Sequence, residues 1–441
     1  MTPLELGLLS LGVIILLIYA GLYIPVVLAL VSFISVWLMR GNFDLAVNLL
    51  TISVKDTISD YNFATVPLFT MMGLIVSKAG LGRDVYEVAN QIFRAVRGGL
   101  GIATVAANAI FASVTGSSIA SASVFTKVAV PEMRRYCYGK RFAVGVVAGS
   151  SVLGMLIPPS VMLIIYAVVA EQSIGAMFLA GVVPGLLLST AFGFAILMMA
   201  WLVPRFVGGT RGGEDDDQNA EPLISFGEIM VKLVPVVVLI LVVLGGIYGG
   251  VFTPTEAGAA GGLMALIIAA ARRRLTVKGV WEALVETGHI TATILFLIIA
   301  ASTYSRMLGI AGLPTQFGEW MQGLDLNLAL LMVIYVLLLI VLGTILDTAS
   351  IILVIVPLFL TAVEAFGADL VWFGIVTVIG AEIGLLTPPL GLSCFVIKST
   401  LDDPSISLAD VFLGALPFAA VMLVVLVLVI AFPQISLVLV R

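Results

Sequence analysis

Histidine is all but missing: His289 is the single one in 441 residues. That excludes a His-rich zinc site and a relay built from several histidines. Cysteine is scarce as well. Cys137 and Cys394 alone give neither a disulfide framework nor a thiolate metal cluster. Charged residues make up 11% of the chain, where a soluble protein carries about a quarter. The net charge of −5 removes nucleic acid as a partner. No Gly-x-x-x-x-Gly-Lys-Ser/Thr phosphate loop occurs, nor a Gly-x-Ser-x-Gly elbow, nor a His-Glu-x-x-His helix. An enzyme therefore has no constellation to stand on, and neither has an ATP-driven machine.

What fills the chain instead is apolar: 61% hydrophobic residues and a mean hydropathy of +1.21. Residues 4–39 form one apolar stretch of 36 residues. As a single helix it would reach roughly 54 Å, against a hydrocarbon core of about 30 Å. It is expected to be two spans, turning near Gly21–Pro25, and not a cleavable signal, since it is too long and has no basic start. Further apolar segments lie near 63–78, 142–157, 159–170, 175–203, 229–248, 254–271, 288–305, 371–386, 389–397 and 411–432. Four others are short and come in adjacent pairs: 99–115 with 117–131, and 327–345 with 348–363. The joints, Thr115-Gly-Ser-Ser118 and Gly343-Thr-Ile-Leu-Asp347, are small and polar. Each pair reads as a re-entrant hairpin with its tip at membrane depth.

One phrase is written twice. Gly154-Met-Leu-Ile-Pro158-Pro159 recurs as Gly384-Leu-Leu-Thr-Pro388-Pro389, 230 residues later. Tandem prolines remove two amide donors and strand the carbonyls that would have bonded to them. The backbone is expected to unwind from Gly154 to Ser160, and again from Gly384. Irregular backbone at membrane depth survives only inside protein or beside a water-filled cavity. Paired breaks in two halves point to a secondary transporter with its site near the midplane. Thr115 with Thr344, Pro131 with Pro357, and Ala79-Gly-Leu81 with Ala311-Gly-Leu313 repeat at nearly the same offset.

The expected fold is therefore an all-α polytopic membrane protein of two inverted repeats. The first covers 1–205, with hairpin 99–131 and broken helix 142–170. A polar linker, 206–226, holds the acidic run Glu214–Asp217. The second covers 227–441, with hairpin 327–363 and broken helix 371–397. Arg83, Arg94, Arg97, Arg134, Arg135, Lys140 and Arg141 flank the first hairpin, which puts its mouth in the cytoplasm. Asp325, Glu364 and Asp369 flank the second, which should open outward; a tandem arrangement of equal orientation is the alternative. Residues 81–97 place Leu81, Val85, Val88, Ile92 and Val96 on one stripe, with Arg83, Asp84 and Glu87 off it. That pattern is a helix lying in the interface, against membrane lipid. Arg272–Arg274 with Lys278 marks a further cytoplasmic loop.

A hairpin tip and an unwound helix supply hydroxyls and carbonyls, the ligands a hard cation takes. The first set is Thr115, Gly154, Ile157 and Pro159; the matching second set is Gly343, Thr344, Gly384, Thr387 and Pro389. Close helix packing through small residues is the other reading of the same positions. Asp347 is open to two roles, cation support or capping of the half-helix that follows. Glu382 is a similar carboxylate. Arg306 is open to an interfacial anchor or to contact with an anion, and His289 starts a span as a capping or packing residue.

These residues resemble the large membrane subunit of the tripartite ATP-independent periplasmic (TRAP) transporters, the DctM or M-subunit family. The phrases carrying the resemblance are Gly116-Ser-Ser-Ile-Ala-Ser-Ala-Ser-Val with Pro131-Glu-Met, Gly154–Ser160, Gly343–Asp347 and Gly384–Gly391, over essentially the whole chain. The length suits an unfused large subunit. Ser121 departs from the acidic residue common in related tips, which leaves the first tip without a carboxylate. The resemblance implies an elevator-type scaffold and transport domain in the bacterial inner membrane. It implies Na+ as coupling ion and import of organic anions such as carboxylates or acidic sugars. It implies a small four-helix membrane subunit (Q type) and a periplasmic substrate-binding protein (P type) as partners. Ser117, Ser118, Asp347 and Thr348 are the candidate substrate-binding residues. A standalone sodium- or proton-coupled dicarboxylate carrier of the same superfamily is the alternative.

Overall fold

Where the chain must break, its own short-range chemistry breaks it. In the computed structural model, which describes residues 2–208, 224–323, 327–401 and 403–440, the 4–39 stretch is two helices, Pro3–Tyr19 and Ile24–Arg40, with the turn at Ala20–Tyr23. Phe43–Ser59 follows, capped by Asn42. Tyr61–Lys78 then bends by 62° into Leu81–Phe93, the expected interfacial helix. Among the described residues there are helices, turns and one isolated bridge, Tyr138 to Gly208, but no strand.

Among the described residues, six helices are long and apolar enough to cross a bilayer by length and composition: Ile174–Leu202, Phe226–Tyr248, Pro254–Ala271, Val277–Ala311, Thr348–Ala365 and Leu408–Ala431. Val277–Ala311 is 35 residues, far longer than the apolar run 288–305 that signalled it. Thr276 caps it, and Glu282 and Glu286 on its polar first half sit 3.5 and 3.7 Å from Lys78. That pairing supports helix where hydropathy gave no sign of it. His289 accordingly does not start a span; it lies in the interior of this helix on an exposed face.

Two helical hairpins occupy the expected places. Gly99–Thr115 turns into Ser118–Arg135, and Leu328–Gly343 into Thr348–Ala365. Each is followed by a helix in pieces. Lys140–Ser151 and Leu153–Leu156 precede a break and then Val161–Val169, bent by 45°. Leu370–Leu385 precedes a break and then Leu392–Thr400. The half-helices pack crosswise: Val161–Val169 lies on Thr348–Ala365, and Leu392–Thr400 lies on Ser118–Arg135. Each sequence half thus completes the hairpin of the other.

Two positions on the interfacial helix differ from the stripe reading. Asp84 is buried, not on the polar face, because Arg272 and Arg274 both pair with it, Arg274 at 2.7 Å. Ile92 is 62% exposed although it lies on the apolar stripe. The linker residues 209–223, with the acidic run, and Asp325 lie outside the described residues.

Candidate ion and substrate site

The first tip reverses the chain in two residues. Gly116 takes a φ of +60°, which an L side chain rarely adopts, and caps the ascending helix. Ser117 is extended, and its Oγ accepts from the Ala120 amide at 3.3 Å to start the descending helix. The break at 157–160 lies directly against this turn. A Cβ added to Gly116 would come within 2.5 Å of the Pro159 carbonyl oxygen. One added to Gly154 would come within 2.7 Å of the Ser117 carbonyl oxygen. The Val161 amide donates to the Gly116 carbonyl at 3.4 Å, and Ser160 Oγ donates to the Met155 carbonyl at 2.5 Å. The Val161 bond ties the break to the tip, and the Ser160 bond closes across the break itself.

The second tip uses different residues to the same end. Asp347 caps Thr348–Ala365, accepting from the amides of Ala349 at 3.1 Å and Ser350 at 3.3 Å and from the Ser350 hydroxyl. The capping role is thus realised. The Thr344 carbonyl accepts from the amides of Leu390 at 3.2 Å and Gly391 at 3.3 Å, tying the tip to the break. With both lone pairs engaged, that carbonyl is committed, and the Thr344 hydroxyl oxygen is what remains for a ligand. Thr387 Oγ donates to the Ile383 carbonyl at 2.8 Å and likewise keeps lone pairs.

The two glycines of the repeated phrase do not unwind. Gly154 lies in Leu153–Leu156 and Gly384 in Leu370–Leu385; the breaks begin at Ile157 and Leu386. Proline strands carbonyls on the turn before it, so the irregular backbone starts at Ile157 and Leu386, just ahead of the prolines, and runs through them. The glycines are small because the tips press on them. Thr115 also differs from expectation: its carbonyl faces Gly73, where a Cβ would sit 2.7 Å from the oxygen. It points to helix Thr65–Lys78, not to the break.

The polar side chains of the two tips, Ser117, Ser118, Thr344 and Asp347, offer oxygens. Ser118 Oγ and Ser121 Oγ are buried and have no hydrogen-bond partner among the described residues. Other buried hydroxyls share this state, Ser32, Ser53 and Thr70 among them, so it is their place at the tip that makes these two candidates for a ligand. Thr348 Oγ donates to Glu382 Oε1 at 2.7 Å, which commits Thr348 to the helix behind it. Gly343, Gly384, Thr387 and Pro389 stand together at the second break, as Gly154, Ile157 and Pro159 do at the first. The donor set is one a hard monovalent cation accepts.

The two breaks differ in access. Ile157–Ser160 is buried throughout, sealed from behind by Gly181 and Gly185 of Ile174–Leu202. Pro388, Pro389 and Leu390 are exposed. A separate cavity of about 320 Å³ is lined by Asp56, Asp60, Glu171, Ser302, Ser305 and Arg306, with Leu353 and Pro357 of the second hairpin on its wall. Arg306 pairs with Asp56 at 2.6 Å. Sequence reading named Arg306 but not Asp56 or Asp60, which come from helix Phe43–Ser59 and its cap. The signal available was an ionisable residue in an amphipathic segment next to an apolar one.

A family profile described as "Tripartite ATP-independent periplasmic transporter, DctM component" matches residues 11–435. The C4-dicarboxylate TRAP transporter large permease protein DctM of Pseudomonas aeruginosa is 32% identical over 396 residues, covering 89% of each chain. The sialic acid TRAP transporter large permease protein SiaM of Vibrio cholerae is 31% identical over 424 residues, 96% of each. Among solved structures, the YdaH transporter of Alcanivorax borkumensis superimposes with a TM-score of 0.61 at 14% identity, covering 88% of this chain and 89% of that one. The last likeness speaks for the fold; the first three speak for descent. The chain is a multi-pass inner-membrane protein, a transporter permease and not an enzyme, and it belongs to the DctM family of TRAP transporter large subunits.

Proposed function

We propose that this chain is the transport-bearing subunit of a sodium-driven secondary importer of organic anions. The observation that carries the reading is the pair of tip-and-break sites, each offering hydroxyl and carbonyl oxygens, with the buried unpartnered hydroxyls of Ser118 and Ser121 at the first. The first site would hold Na+ through Ile157 and Pro159 carbonyls with tip hydroxyls. The second would use the hydroxyls of Thr344 and Thr387 with carbonyls around Gly343, Gly384 and Pro389. Bound sodium supplies positive charge beside the tips, where Ser117 and the half-helix starts can meet an anion. The relatives named for C4-dicarboxylate and sialic acid make carboxylates the substrate class to try first.

The crosswise packing of the half-helices suits inverted repeats, with the hairpins and broken helices moving as one body against the remaining spans. Exposure of Pro388–Leu390 with burial of Ile157–Ser160 suits a conformation opened toward the mouth of the first hairpin. The partners in this reading are a small four-helix membrane subunit and a periplasmic binding protein that delivers substrate. Reconstitution tests all of it. Uptake into proteoliposomes carrying both membrane subunits, with binding protein outside, should require a sodium gradient and no ATP. Uptake unchanged when choline replaces sodium would refute the coupling. Concentrative uptake by the chain alone would favour a standalone carrier.

A further inference from the structure

Glu382 lies inside helix Leu370–Leu385 with no exposed surface. Its Oε1 accepts from Thr348 Oγ at 2.7 Å, at the first residue of the descending hairpin helix. Its Oε2 is buried and has no hydrogen-bond partner among the described residues. No described Lys, Arg or His pairs with it; Asp347, the nearby acid, has both oxygens engaged in its cap. An ionised carboxylate in such a place is strongly disfavoured without a counter-charge. The unpartnered Oε2 is the free acceptor that a ligand would meet, and a buried acceptor left unpaired is costly.

We propose that Glu382 supplies the negative charge for a monovalent cation held between the second hairpin tip and helix Leu370–Leu385. This rests on the sodium-coupled reading and adds an inequality to it. The first site offers hydroxyls and carbonyls, with Ser121 where a carboxylate could stand. The second offers the same kinds of oxygen and one full charge. A single available carboxylate fits Na+ better than a divalent ion, since Asp347 has no oxygen to spare. The Thr348 hydroxyl holds Oε1, which leaves Oε2 as the oxygen free to meet the ion. The second site is then electrically balanced when filled, the first is not, and the second binds sodium more tightly.

The test is a sodium titration of the purified full-length chain, read as thermal stabilisation with choline holding ionic strength constant. Uptake by the reconstituted complex is titrated in parallel. Glu382→Gln keeps the size and the bond to Thr348 but removes the charge. It should raise the half-saturating sodium concentration at least tenfold. A wild-type midpoint in Glu382→Gln overturns the assignment while leaving sodium coupling in place. A wild-type chain and complex that do not respond to sodium at all overturn the coupling and the assignment together. Should Glu382→Gln fail to accumulate, Thr348→Val, which releases the carboxylate, takes its place. A several-fold rise in midpoint then supports the site, and an unchanged midpoint refutes it.

Discussion

Gly343 and Gly384 meet backbone to backbone: a Cβ on Gly384 would lie 2.5 Å from the Gly343 Cα, and one on Gly343 would lie 2.9 Å from the Gly384 Cα. The neighbour is main chain on both sides, so no side chain can swing away to make room. Gly343→Ala and Gly384→Ala should therefore separate tip from break, at about 1–3 kcal/mol of overpacking each. Both variants should insert, because the apolar runs are unaltered, and sodium-dependent uptake should fall by orders of magnitude. Gly309 provides the control. It sits in helix Val277–Ala311 with nothing near its Cβ position, so Gly309→Ala should transport normally and gain roughly 0.5–1 kcal/mol. Equal uptake by all three variants would show that the tip contact is not needed.

Asp84 joins the interfacial helix to the end of helix Pro254–Ala271, through Arg272 and Arg274. The carboxylate is buried while Arg274 is partly exposed. Removing the acid leaves a mostly buried Arg272 with only the Val231 carbonyl as a partner among the described residues, and breaking a buried pair costs up to about 3–5 kcal/mol. Asp84→Ala should lower the thermal midpoint of the detergent-solubilised chain by several degrees. Arg83→Ala touches an exposed i,i+4 pair with Glu87, worth about 0.3–0.5 kcal/mol, and should leave the midpoint near wild type. Similar midpoints for the two variants would remove Asp84 as the clasp.

The sequence spoke clearly where one local rule decides the outcome. Tandem proline located both breaks, and Gly-Ser and Asp-Thr at the joints located both tips, because turn and cap chemistry act over three or four residues. It was silent where partners lie far apart. Thr348 and Glu382 are 34 residues apart, Arg306 and Asp56 are 250 apart, and Asp84 lies 188 residues from Arg272. Periodicity set Asp84 among the polar residues because its partners come from another helix end. The glycines of the repeated phrase were found for the wrong reason: their spacing before Pro-Pro suggested unwinding, whereas their smallness answers the opposing tip.

The remaining prediction concerns which side each element faces. Basic flanks put the mouth of the first hairpin in the cytoplasm, and acidic flanks put the second outside. In a background lacking Cys137 and Cys394, Arg135→Cys should label with a charged, impermeant reagent from the cytoplasmic side, and Ala368→Cys from the periplasmic side. The breaks add a second, independent readout in the same background. Leu390 is 49% exposed and Ile157 is 9% exposed. If the second break borders water on the cytoplasmic side, Leu390→Cys should react with the charged reagent at least tenfold faster than Ile157→Cys, and only from that side. A reagent that reaches Leu390→Cys only when it is lipid-soluble would place that break against the bilayer instead. Labelling of Arg135→Cys and Ala368→Cys from one side would end the inverted arrangement, because two hairpins with mouths on the same face cannot be related by an axis in the membrane plane.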